Sequence, residues 1–359
     1  MRSRGRHLRT ITLGLGLTAL VAAGCSAAPD GAVEAPPRPV LRPSTTTIPG
    51  PAPAPAGQHR LSATVARIGD CSMFPPDHYL NAVNIDQLPV HPRSNTWLND
   101  MGRSTKVNFP SSKVWDGARS GMPVNVVDSR ETGFTAVMMN PFWPSSYYGG
   151  KYPLPSSPKV QGYPSAQWDR HLLIVDTADC MAYELIQYDP LLGALGMHSA
   201  LSGARYPLTS TDRLPTATNA PKTPMLGQYV LADEVAAGEI PHVMAFCSDR
   251  ISTRSVWPAK ASDGAVAGDG TLPMGAWLRL RDDVDTSRFG PQSATVAEAL
   301  RERGAVLTDT CGHRFHVMAE NSSAWDDADL ASIEALDMDD FEVVDASGLA
   351  ADGTSFRIR

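Results

Sequence analysis

Between residues 122 and 344, glycine, proline, asparagine and aspartate interrupt the chain every dozen residues or so, and the intervals carry short apolar or β-branched runs. This punctuation excludes long helices and favours many short strands joined by turns. With 29 glycines and 30 prolines in 359 residues, the supply of turn formers is ample for that pattern. Strands are expected at 122–127 (MPVNVV), 134–139, 171–176, 181–188, 242–247, 276–280, 305–308, 315–319 and 341–344. HLLIVDTADCMAYELIQYD reads as a hairpin turning at 177–179. Helices are expected late, at 293–303 with Gly304 placed to stop it, and at 326–336, which opens on acidic residues. Regular strand and helix alternation is absent before residue 290, so the expectation is a mainly β fold: a β-sandwich or jelly-roll core with a few peripheral helices.

The N-terminus constrains the compartment. Arg2, Arg4, Arg6 and Arg9 precede an apolar stretch at 11–23, and Ala22, Ala23 and Gly24 lead into Cys25. Small residues closing on a cysteine fit a lipoprotein signal over residues 1–24 with lipidation at Cys25; an ordinary secretory signal is the alternative. Residues 25–58 are rich in Pro, Ala and Thr without period, a composition that favours an extended tether over a core. Residues 59–359 are then expected to form a single β-sandwich-type domain with C-terminal helices, held at the outer face of the cell membrane through the N-terminal lipid. No later stretch is apolar enough over sufficient length to span a bilayer. The net charge of −7 is mixed along the chain, and no basic patch argues for a nucleic-acid partner.

Beyond Cys25 there are four cysteines, Cys71, Cys180, Cys247 and Cys311, which in an exported protein read as two disulfides with three possible pairings. The rival is a metal site in CGHRFH, but on a strand His313 and His316 point to opposite faces. No metal and no organic cofactor is expected. G-x-S-x-G, H-E-x-x-H, the phosphate-binding loop and the dinucleotide fingerprint are all missing.

Two polar constellations remain. In WDRHLLIVD, alternation places Asp169, His171, Leu173 and Val175 on one face, with Arg170 on the other, and in the returning strand Glu184 shares a face with Ala182 and Ile186. One register sets Glu184 beside His171 and a one-residue slip sets it behind, and both stay open. In the first, Asp169 and Glu184 flank an imidazole and could act as acid and base on a glycosidic oxygen; otherwise they are rim charges pairing across a hairpin. LADEVAAGEIPHVMAF offers Asp233, Glu234, Glu239 and His242, with a helical turn over 233–237 ended by Gly238 and His242 near the start of a strand. His242 is a second acid/base candidate or a satisfied core histidine. NPFWPSSYYGGKYPLPSSPKVQGYP (140–164) concentrates aromatics among prolines and glycines. Trp143, Tyr147 and Tyr148 on it suit stacking against sugar rings, with Arg170 and Glu234 as polar contacts; the same loop could instead cover a sheet edge.

NIDQLPVHPRSNTWL, DRHLLIVD with CMAYEL, DEVAAGEIPHVMAF, VWPAKAS, LPMGAWLRLR and WDDADL…FEVVD, in order over 71–345, together resemble a family of secreted bacterial proteins frequent in soil actinobacteria and sometimes joined to carbohydrate-binding modules. The resemblance implies a β-sandwich of carbohydrate-active type with DRH and the I-x-H strand as its most recognisable polar positions. Relatives carry an acidic, Gly-containing loop where this chain has NPFWPSSYYGG. Cys247 and Cys311 are not general features of the family and read as a bridge of this branch. The expected partner is a polysaccharide or cell-envelope glycan. The expected activity is glycoside hydrolysis, or elimination, by carboxylate and histidine chemistry; the alternative is a non-catalytic glycan-binding or envelope-assembly lipoprotein.

Overall fold

A computed structural model describes residues 64–110, 113–143 and 147–359. The expected signal peptide, the tether and Cys25 lie outside the described residues. The molecule is mainly β, as the punctuation predicts. A four-stranded sheet is formed by β1 (Val124–Val127), β2 (Leu172–Asp176), β3 (Met181–Ile186) and β4 (Ser202–Pro207), in the order β4-β3-β2-β1. A five-stranded sheet is formed by β5 (Met244–Ser248), β6 (Trp277–Leu280), β7 (Ala305–Thr310), β8 (His316–Val317) and β9 (Phe341–Val344), in the order β8-β5-β7-β6-β9. Each sheet contains one parallel pair, β1 with β2 and β5 with β7. Both pairs require long crossovers, and the one between β5 and β7 carries the longest helix among the described residues, Pro291–Glu302.

The sheets face each other across one apolar layer. Leu173, Val175, Ala182 and Tyr206 from the first meet Trp277, Val306 and Val344 from the second. Because β2 is covered on both faces, all five of its residues are buried, which explains its unbroken apolar run. The outer face of the five-stranded sheet packs against α1 (Ser94–Met101), α2 (Ala232–Ala237) and α3 (Pro291–Glu302) through Trp97, Leu98, Val235, Val296 and Leu300. On the outer face of the four-stranded sheet, Leu172, Ile174, Tyr183 and Leu185 are covered by Tyr147, Tyr148, Tyr152 and Leu154 of the aromatic loop.

Two disulfides cross-link the fold: Cys71–Cys180, at the turn of the hairpin, and Cys247–Cys311, between β5 and the residue that follows its neighbour β7 in the five-stranded sheet. They fit an extracytoplasmic protein. Among the described residues no helix is long and apolar enough to cross a membrane.

Candidate functional site

The hairpin register places Glu184 opposite Leu173, so its side chain enters the layer between the sheets. There the carboxylate is fully buried. Oε1 accepts the Tyr206 hydroxyl and the Met225 N–H (2.9 Å), and Oε2 accepts the Thr218 hydroxyl at 2.6 Å. Burial pushes its pKa up, against the lowering effect of these hydrogen bonds. This carboxylate anchors the segment 218–225 to the sheet and has no opening to a substrate.

Asp169 is exposed and precedes β2, its carbonyl accepting the Gln187 N–H at 2.7 Å. It lies outside the ladder, four residues before Leu173, the residue that faces Glu184. The intervening Arg170 has a left-handed φ of 50°, which breaks the alternation used to align Asp169 with His171. Arg170 is half-buried and pairs with Asp189 at 3.6 Å. The expected flanking of one imidazole by Asp169 and Glu184 is therefore replaced by two carboxyls with different tasks, one at the rim and one sealed. His171 is itself buried, its backbone exchanging hydrogen bonds with Gln161, and its Nδ1 meets no partner. Burial lowers its pKa, with Asp169 opposing, so the ring is held neutral.

Asp309, near the end of β7, belongs with Asp169 and was missed in the sequence because a single aspartate after an apolar strand carries no pattern. Its pKa is pushed up to about 8, first by burial and then by the negative charges of Asp169 and Asp263. A bulge between Phe246 and Cys247 brings Asp309 opposite Cys247, beside the Cys247–Cys311 bridge. At neutral pH this edge therefore offers a protonated carboxyl within electrostatic reach of another carboxyl, Asp169.

His242 and Glu234, by contrast, do meet. Glu234 sits in the first turn of α2, where Oε2 accepts the Leu231 N–H at 3.2 Å, and Gly238 ends the helix with φ 84°. His242 precedes β5; its Nε2 lies 3.1 Å from Glu234 Oε2 and its Nδ1 3.0 Å from the Val243 carbonyl. Both residues line a small pocket of about 10 Å³ together with Tyr229, room for about one water. Glu234 Oε1 is buried there without a partner.

The aromatic loop divides into an inner and an outer part. Tyr147 and Tyr148 are half-buried on the sheet; Tyr148 donates its N–H to Gly203 at 2.8 Å and its ring lies 6.3 Å from Tyr183. The Arg205 guanidinium stands 5.7 Å over both of these rings. A Cβ at Gly150 would collide with the Tyr148 ring and hydroxyl, so a larger residue there would displace that side chain. Phe142 is 92% exposed and Trp143 37%, and Phe134, also exposed, lies 6.3 Å from Tyr183. Residues 144–146 lie outside the described residues.

Cys311, one arm of the suspected metal triplet, is bound in its disulfide, while His313 and His316 stack at 5.1 Å. No family model, curated protein or solved structure matches the chain.

Proposed function

We propose that this is an exported, lipid-anchored glycan-binding protein, with Cys25 carrying the lipid and residues 25–58 as the tether. The observation that carries the reading is the aromatic surface over the four-stranded sheet. Phe142 and Trp143 reach solvent from the loop that also carries Tyr148, and exposed Phe134 lies 6.3 Å from Tyr183, where Arg205 covers both Tyr148 and Tyr183. Such rings offer flat apolar faces to sugar C–H groups, while the guanidinium retains donors for hydroxyls. Two disulfides and the lipoprotein signal agree with a surface-displayed role, as does the resemblance to secreted, carbohydrate-related proteins. Screening the full chain in detergent against envelope and plant glycans tests this. Saturable binding without released reducing ends is the expected outcome, and no binding to any glycan would refute it.

A second reading, hydrolysis of the bound glycan, is favoured by one observation: the raised pKa of Asp309 within electrostatic reach of a second carboxyl, Asp169, a combination suited to a general acid. In that case reducing ends appear on incubation and disappear with Asp309→Asn.

A further inference from the structure

A cleft of about 170 Å³ lies against α1 and the segment 251–274, over a different core cluster from the one that the aromatic loop covers. We propose that it binds a sugar unit carrying a single negative charge, a uronate carboxylate or a phosphodiester.

The argument begins with charge. Asp269 is the carboxylate of the cleft, and two guanidiniums share it: Arg93 Nη2 lies 3.1 Å from Oδ2, and Arg254 pairs with Oδ1. Among the residues lining the cleft, two cations on one anion leave one net positive charge, which a single monoanionic group neutralises; Asp345 acts on His91 from outside the lining. Arg254 points one N–H group at Asp269, and Arg93 points two, to its carboxylate and its carbonyl. Each guanidinium has five N–H donors, so most remain open. Their side chains are 65% and 48% exposed, so a ligand reaches them without displacing protein.

The floor adds a third donor and an apolar surface. His91 lies flat on Trp97, ring centroids 4.3 Å apart. Its Nδ1 accepts the Arg93 N–H at 3.0 Å, which places the proton of the neutral ring on Nε2 as a donor. Trp97 donates its indole N–H to the Asp269 carbonyl at 2.9 Å and is thereby fixed beneath the cleft. Val256 supplies an exposed apolar wall. Donors together with apolar surface match an anionic ring, and the volume is below the ~300 Å³ of a typical ligand pocket, so one unit fits. The fork of each arginine suits the paired oxygens of a carboxylate or phosphodiester.

The site is separate from the aromatic surface, and its test is independent of that reading. Titration of the full chain in detergent, followed by calorimetry, uses trigalacturonate, an oligomer of glycerol phosphodiesters, and maltotriose as the neutral control. Binding of either anionic probe with maltotriose silent is expected, and which probe binds identifies carboxylate or phosphodiester as the source. Arg254→Gln should weaken binding at least tenfold, whereas Asp269→Asn, which removes the internal competitor and keeps its shape, should tighten it severalfold. A purely structural role for the cluster predicts weakening in both. No binding by either anionic probe, equal binding of maltotriose, an unchanged Arg254→Gln variant, or weaker binding by Asp269→Asn would each overturn the proposal.

Discussion

His242 Nε2 lies 3.1 Å from Glu234 Oε2, and its Nδ1 lies 3.0 Å from the Val243 carbonyl. Both neighbours are acceptors, so the pair satisfies its contacts only by holding one proton more than a neutral imidazole and a carboxylate together possess. Burial, the largest influence on His242, disfavours the charge, but Glu234 and the Val243 carbonyl outweigh it and the pKa is raised. A raised histidine pKa stabilises the fold fully below the unfolded value near 6.5, and that contribution is lost as pH rises through the folded value. His242→Gln should therefore cost about 3 kcal/mol at pH 6, the scale for breaking a buried pair, and less at pH 9. Urea unfolding of both proteins at the two pH values measures the difference, and a cost independent of pH would contradict the shared proton.

Glu184 is a structural carboxyl in this account. Glu184→Ala strips a buried acceptor from Tyr206, Thr218 and the Met225 N–H, and should cost about 3 kcal/mol. Because burial raises its pKa, the wild-type fold loses stability as pH rises from the unfolded value near 4.5 to the folded one. Glu184→Gln does not titrate, so relative to wild type it should fare better at pH 7 than at pH 4, with glycan binding unaltered. Thermal melts at both pH values read this directly.

Asp309 follows the same sign. With a folded pKa of about 8, its contribution is present below the unfolded carboxyl value and fades as pH climbs toward 8. Replacement by Asn should flatten the stability profile between pH 4 and 8. An unchanged slope in that window would show the carboxyl to be ionised throughout.

The two disulfides close loops with sequence separations of 109 and 64 residues. Loop entropy assigns each a contribution of about 4 to 5 kcal/mol. Cys71→Ser with Cys180→Ser, and Cys247→Ser with Cys311→Ser, should each lower the melting temperature by several degrees, and reductant should lower that of the wild-type chain. Melting curves insensitive to reductant would contradict both bridges.

Local pattern made the hairpin legible: strands at 172–176 and 181–186 flank a turn over 177–180, close to the expected 177–179. The C-terminal helix was equally legible, starting at Pro291 and followed by Gly304 at φ 66°. The expected helix at 326–336 forms only as Asp327–Leu330 and a 3-10 turn at Ile333–Ala335. The parallel pairings could not be read, because their partners lie more than forty residues apart and no local period encodes them. The site was legible in residue type but not in arrangement. DEVAAGEIPH announced Glu234 and His242, which meet, whereas Asp169 and Glu184 were aligned by an alternation that the left-handed Arg170 breaks. Arg93, Arg254 and Asp269 are joined only by folding and leave no mark in any short window.

Sugar recognition by the outer rings of the aromatic loop is the central claim, and its most direct measurement is glycan binding by the wild-type chain beside a Phe142→Ala, Trp143→Ala variant. Phe142 is 92% exposed and Trp143 keeps 37% of its surface in solvent, so the variant should stay folded and lose no more than a few degrees of melting temperature. The account predicts that its affinity falls at least tenfold, about 1.4 kcal/mol. Equal affinity in the two proteins, with the fold intact, would contradict it.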